Sequence, residues 1–279
     1  MQRNSLQQRR SAFRRLHESG CFVIPNPWDV GSAVALASLG FPALASTSAG
    51  VGFSRGLPDH PQALSLRPVL DHLAELAAAT DLPVNADFQA GYAADPAALA
   101  ANVAACVDTG VAGLSIEDAT GDPGAPLYDI AEAAGRIRAA RAGIDSRHAE
   151  VLLTARAECF LVGHPDPLRE SIIRLQAYAE AGADVLYAPG IRTEADIRAV
   201  VEAVAPRPVN VLVSRDIGLK VADLAGLGVR RVSLGSALAR AAWGAFLRAA
   251  EEIAHEGTFT ELDQAAPFTR LDQMFGGTT

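Results

Sequence analysis

The sequence predicts an α/β chain folded as one (β/α)8 TIM barrel, a single domain over residues 1–279 with a short N-terminal helix. Three observations predict it. Short apolar runs alternate eight times with Ala-rich amphipathic stretches, helix start and stop signals fall between those runs, and no linker interrupts the series. A doubly wound sheet shares the alternation. No Gly-rich dinucleotide fingerprint follows the first strand, and eight units favour the barrel.

The strand candidates, in order, are CFVIP (21–25), PALAST (42–47), LPVNAD (82–87), AGLSIE (112–117), EVLLTA (150–155), DVLYA (184–188), PVNVLV (208–213) and RRVSLG (230–235). Each is nearly continuous in apolar character, as parallel strands buried on both faces require. Helices are expected over 95–109, 130–142, 167–181 and 193–204. Asp95-Pro96 and Asp166-Pro167 each place an N-cap before a proline suited to the first turn. Asp129 and Glu132 have capping-box spacing. Gly40, Gly110, Gly143, Gly182 and Gly228 are expected to close helices.

A chain of 279 residues that is 49% hydrophobic can bury one large core. Its net charge of −8 argues against a nucleic-acid partner. Three scattered cysteines (Cys21, Cys106, Cys159) supply neither a disulfide framework nor a zinc cluster, and they suit a reducing cytoplasm. The basic opening segment lacks the apolar stretch of a secretory signal and reads as a short amphipathic helix. No apolar run approaches the roughly 20 residues of a membrane span.

Barrel enzymes carry their chemistry on the loops at the C-terminal strand ends. Those ends hold Ser46-Thr47-Ser48-Ala49 with Asp59 on the long loop beyond, Asp87-Phe88-Gln89, Glu117-Asp118, Arg156-Ala157-Glu158 and, on strand seven, Asn210. Singly, such acids cap helices or pair with arginines on the rim. Gathered around one point they repel unless a cation compensates, and hard oxygen donors with waters suit Mg²⁺. The Ser46–Ser48 turn offers N–H and O–H groups to a carboxylate or phosphoryl group. Arg156 can grip an oxyanion or form a salt bridge to Glu117 or Glu158.

These pieces, with Asn26-Pro27-Trp28-Asp29, Gly56-Leu57-Pro58-Asp59 and Leu227-Gly228-Val229-Arg230-Arg231-Val232-Ser233-Leu234-Gly235, resemble the isocitrate lyase/phosphoenolpyruvate mutase superfamily from about residue 22 to 257. The resemblance implies Mg²⁺ and a pyruvate-type enolate, formed from a small 2-oxo or 2-hydroxy carboxylic acid. It makes Asp87 the direct metal ligand, with Asp59, Glu117 and position 89 acting through water. It assigns Ser46, Thr47, Ser48, Ala49, Asn210 and Arg156 to substrate binding, and Arg156, Glu117 and Asp59 to catalysis. C–C cleavage of the 2-methylisocitrate lyase kind is the first expectation. P–C chemistry, oxaloacetate hydrolysis and a non-catalytic metabolite-binding barrel are the alternatives.

The chain departs from the family pattern at three places. Gln89 stands where a second acid is usual. The segment after Glu117-Asp118 reads Ala-Thr-Gly-Asp-Pro-Gly-Ala-Pro-Leu-Tyr, with neither the lyases' cysteine and lysine nor the phosphonopyruvate enzymes' asparagine. Strand six ends in Ala188-Pro189-Gly190, without the mutases' histidine. Cys159, His60 and Tyr128 read as a packed thiol, a surface histidine and a loop tyrosine. The loop 120–129 is expected to close over substrate.

A Schiff-base aldolase needs a lysine at a strand end, and the single lysine, Lys220, is placed in the helix after strand seven. The last helix, 236–257, carries Leu238, Ala242, Phe246, Ala249 and Ile253 at helical spacing. With the resemblance, that face predicts a homodimer or homotetramer, and the resemblance allows the helix to be swapped between subunits.

Overall fold

The computed structural model describes residues 4–60 and 63–276. Eight parallel strands form one sheet in the order β1-β8-β7-β6-β5-β4-β3-β2. They are β1 (Phe22–Ile24), β2 (Leu44–Ala45), β3 (Val84–Asp87), β4 (Gly113–Glu117), β5 (Leu152–Arg156), β6 (Val185–Tyr187), β7 (Val209–Leu212) and β8 (Arg231–Ser233). Every one falls inside its predicted run, apart from one residue at the end of β5. The seam between β1 and β2 is crossed by the Ala45 N–H, which donates to the Pro25 carbonyl at 3.0 Å. The chain is therefore a nearly closed (β/α)8 barrel.

The first seven helices are α1 (Leu6–Leu16), α2 (Val30–Ser38), α3 (Ser48–Ser54), α4 (Leu66–Ala79), α5 (Pro96–Asp108), α6 (Ile130–Asp145) and α7 (Pro167–Glu180). Four more follow: α8 (Glu194–Val204), α9 (Val221–Gly226), α10 (Ala237–Glu256) and α11 (Phe268–Phe275). Asp95 caps α5 as expected, accepting from Ala97 N and Ala98 N. Asp129 and Asp166 make no side-chain cap bond. The start of α6 is fixed instead by Tyr128, whose N–H donates to the Asp118 carbonyl and whose carbonyl accepts from Arg174. Lys220 is the N-cap of α9, one residue ahead of the helix in which it was expected.

Gly143 does not end its helix, which runs on to Asp145. A Cβ there would lie only 2.4 Å from the Ala100 carbonyl oxygen. The glycine is required by the close approach of α5 to α6.

The main core lies between the sheet and its helices. A second cluster closes the N-terminal end of the barrel, where Phe13 of α1 packs among Phe22, Ile24, Ala45 and Leu152. Arg10 anchors α1 there by donating to the Val107 and Val111 carbonyls. Above this plug the inward positions are Asn85, Ser115, Thr154, Asn210, Arg231 and Ser233, all buried. Barrel interiors are usually filled by bulky branched side chains. Here small and polar ones leave a cavity of about 250 Å³ that runs up to the C-terminal mouth.

Only Ala239 of α10 is buried. Phe246 is 59% exposed and Ile253 38%, so the chain's own barrel does not cover the predicted apolar face. Among the described residues no helix is long and apolar enough to cross a membrane.

Candidate active site

The strand ends assemble one polar cluster around Arg156. Its Nη1 lies 2.9 Å from Asp87 Oδ1 and 3.1 Å from Glu117 Oε2, and its Nε donates to Glu158 Oε1 at 2.8 Å. Its guanidinium carbon lies 5.3 Å from the centre of the Tyr187 ring. The register explains the assembly. Glu117 pairs with Arg156 and Arg156 with Tyr187, so three consecutive strands bring inward side chains to one level.

Too many acids share this site for one guanidinium. Burial raises the Glu117 pKa to about 8. Arg156 opposes that rise, while Glu158, Asp87 and Asp118 reinforce it. Glu158 is raised as well, chiefly by burial. Asp59 sits on the exposed loop but faces the cavity, and partial desolvation followed by the Asp87 charge raises it too.

Asp87 is held from a second side. Its Oδ2 accepts from Ser48 N at 2.8 Å, and its own N–H donates to Ser46 Oγ at 2.8 Å. Thr47 caps α3 by accepting from Gly50 N. The serine turn therefore spends part of its expected anion-binding capacity on building the site. The Ser48 hydroxyl and the Ala49 N–H remain at its tip.

Asn210 is fully buried, donating to Ser233 Oγ and accepting from Arg231 Nε. It forms cavity wall with both ends of its amide engaged. Gln89 takes a left-handed backbone conformation, φ 46°, and its carbonyl accepts from Glu117 N at 3.0 Å. Its side chain lines a small side cavity shared with Asp59, Asp87, His60 and His72.

Several residues that shape the site lie in the motifs quoted above with no role attached to them there. Asn26 links three strand ends: Oδ1 accepts from Leu234 N and Gly235 N, and Nδ2 donates to the Ser46 carbonyl. Asp118 accepts from Arg174, Tyr178 and the Glu158 N–H, so it holds the ends of β4 and β5 together. Arg231 lies in the barrel floor. It belongs to the Leu227–Gly235 motif, and its position two residues before Ser233 puts it on the inward face.

The loop after β4 is a small closed turn, with Ala119 bridged to Leu127 and Thr120 Oγ1 donating to the Ala125 carbonyl. In this conformation none of its residues lines the cavity. Tyr128 is pinned under Arg136 and Arg174 and is not a free loop tyrosine. Cys159 is buried, as expected.

The phosphoenolpyruvate phosphomutase family profile matches residues 13–254. The chain belongs to that family. An uncharacterized protein of Mycobacterium tuberculosis is 36% identical over 261 residues, covering 93% of this chain and 94% of its own. A crystallised protein of Burkholderia cenocepacia is 47% identical, with a TM-score of 0.93 over 98% of both chains. A phosphonopyruvate hydrolase crystallised with oxalate and Mg²⁺ is 26% identical, with a TM-score of 0.84 over 96% of this chain and 95% of that one. The resemblance read from the motifs and the family match thus agree, and named members of the superfamily are lyases and mutases.

Proposed function

We propose that this chain is a Mg²⁺-dependent lyase that breaks a C–C bond in a small 2-oxo or 2-hydroxy carboxylic acid through a pyruvate-type enolate, as a 2-methylisocitrate lyase does. One observation carries the reading: Asp59, Asp87, Glu117 and Glu158 meet at one barrel mouth with Arg156 as the cation among them. Among the described residues no three acids form a ready ligand cage, so the donors fit Mg²⁺ bound through one or two carboxylates with several waters retained.

Asp87 would hold the ion, and Asp59, Glu117 and Gln89 would act through water. When bound, the ion supplies Lewis-acid stabilisation of enolate charge. The rest falls to the chain. The Ser48 hydroxyl and Ala49 N–H receive the substrate carboxylate, beside Ser46 and Thr47. Arg156 keeps three carboxylates in register and neutralises charge at the far end of the substrate. Asn210 shapes the wall.

The second reading is P–C bond chemistry or oxaloacetate hydrolysis: the segment between Asp118 and Asp129 lacks the lyases' cysteine, and it lacks the phosphonopyruvate enzymes' asparagine as well, which weighs for hydrolysis within that reading. The exposed apolar face of α10 supports a homodimer or homotetramer. Turnover of 2-methylisocitrate, dimethylmalate, oxaloacetate and phosphonopyruvate with Mg²⁺ tests the reading. Cleavage of one of the first two is expected. Turnover of only the last two selects the second reading, and no turnover with no Mg²⁺ binding leaves a metabolite-binding barrel.

A further inference from the structure

Each cleavage considered above leaves an electron pair on carbon, and that carbon must take up a proton. The roles assigned so far name no donor for it. Asp59, Asp87 and Glu117 serve the metal, and Arg156 is held by three carboxylates. Among the described residues, no histidine, cysteine or lysine lines the cavity. One phenol does: Tyr187 is buried and lines it together with Asp87 and Arg156. In a ring of eight strands, β6 stands four places from β2 in either direction, so Tyr187 faces the Ser46–Ala49 turn across the mouth. A substrate whose carboxylate sits on that turn extends its reacting carbon towards β6.

A chain of donors ends on the phenol oxygen. Tyr187, Asn210 and Arg231 are register partners on β6, β7 and β8. Arg231 Nε donates to Asn210 Oδ1 at 2.8 Å, which fixes the amide so that its Nδ2 donates to Ser233 Oγ at 2.9 Å. Ser233 in turn hydrogen-bonds the Tyr187 hydroxyl. A serine has one proton to give, and with that proton on the Tyr187 oxygen the phenol's own proton is left to the cavity. Every bond then runs one way, so the groups polarise one another towards a negative oxygen at the end. The Arg156 guanidinium, 5.3 Å from the ring centre, adds positive charge beside it. Burial pushes the Tyr187 pKa up to about 12, while Arg156 and the Ser233 bond pull the other way. The resting phenol keeps its proton, and the donors hold the phenolate once the proton has gone.

We propose that Tyr187 is the general acid of this site, with Ser233, Asn210 and Arg231 as the positioning residues that steady its phenolate. As the substrate bond breaks, its electron pair stays on carbon. A C–H bond forms there, the Tyr187 O–H bond breaks, and the oxygen keeps that pair. The proton lost by the substrate hydroxyl, or by the attacking water in a hydrolysis, returns to the phenolate through solvent. The proposal rests on the enolate reading above.

Solvent exchange tests it. The full chain is incubated with Mg²⁺ and pyruvate in heavy water, and loss of the methyl proton signal is followed by NMR. Here Tyr187 acts in reverse, as the phenolate that takes the proton from carbon. Calorimetry with Mg²⁺ and oxalate reports on binding alone. The native protein should exchange the methyl protons. Tyr187→Phe keeps the ring over Arg156 and should exchange roughly 10²- to 10⁴-fold more slowly, with oxalate affinity within about twofold. Ser233→Ala should slow exchange roughly 10- to 100-fold, the worth of one hydrogen bond to a charged group, again without a change in oxalate affinity. Lost packing would not split exchange from binding in this way. Exchange at the native rate in folded Tyr187→Phe overturns the proposal, leaves the enolate reading standing and turns the search to Glu117. An unchanged rate in Ser233→Ala overturns it as well, whether or not Tyr187→Phe folds. A native protein that binds oxalate with Mg²⁺ and exchanges nothing overturns the enolate reading and the proposal together.

Discussion

Arg156 and Asp87, 69 residues apart in sequence, meet at 2.9 Å across the barrel mouth. Each is also bound elsewhere, Arg156 to Glu117 and Glu158 and Asp87 to the Ser48 N–H. The pair is the hub of the site, and removing either partner strands buried charge on the other. Arg156→Gln should therefore cost about 3–5 kcal/mol of stability, the usual result of breaking a buried ion pair from one side. It should also abolish turnover. Denaturant melts and a steady-state assay check both, and a fully stable, active variant would refute the hub.

Asp87→Ala should abolish Mg²⁺ binding in calorimetry, because Asp87 would touch the ion directly. Gln89→Glu should keep or strengthen it, since position 89 would act through water and the change adds a negative charge. Unchanged affinity in Asp87→Ala would refute the ligand assignment.

Two buried histidines set an acid limit on stability. Burial lowers His17 to about 3, with Arg231 adding to the effect, and lowers His72 to about 4. Below the unfolded value of about 6.5 the unfolded chain takes up protons that the fold refuses. Their contribution is thus fully present above pH about 6.5 and is lost as pH falls towards 4 and then 3. His17→Asn should flatten the stability–pH curve below 6.5, and an unaltered slope would show that His17 is protonated in the fold.

The apolar stripe on α10 should bury itself in an assembly. Trp243 and Phe246 stack edge to face at 5.5 Å while remaining 36% and 59% exposed. Light scattering should give a dimer or tetramer, and Phe246→Glu should lower the mass towards a monomer. A monomer at micromolar concentration in the native protein contradicts this.

The turn over residues 120–129 should be cut slowly by protease once Mg²⁺ and oxalate are bound, as expected of a cover that shuts out water. From Thr120 to Pro126 its hydrogen bonds are internal to the turn, so that part can swing as a unit about Ala119 and Leu127 while Tyr128 stays bound to Asp118 and Arg174. Equal cutting with and without bound ligand would make it a fixed connection.

Much was determined by the sequence alone. The eight strands follow from the apolar runs, because strands buried on both faces leave no other pattern. Asp59, Asp87, Glu117 and Arg156 follow from that barrel, since strand ends of one polarity converge. The tertiary structure decided the rest. The Asp129 capping box looked sound locally, yet long-range bonds from Tyr128 to Asp118 and Arg174 fix that helix start instead. Gly143 looked like a helix stop, yet the approach of Ala100 made it an interior residue. Arg231 stood in the Leu227–Gly235 motif with no role attached. Its burial among neutral partners depends on Asn210, Thr154 and His17, which lie 21, 77 and 214 residues away, and local sequence carries no signal for contacts that only barrel closure creates.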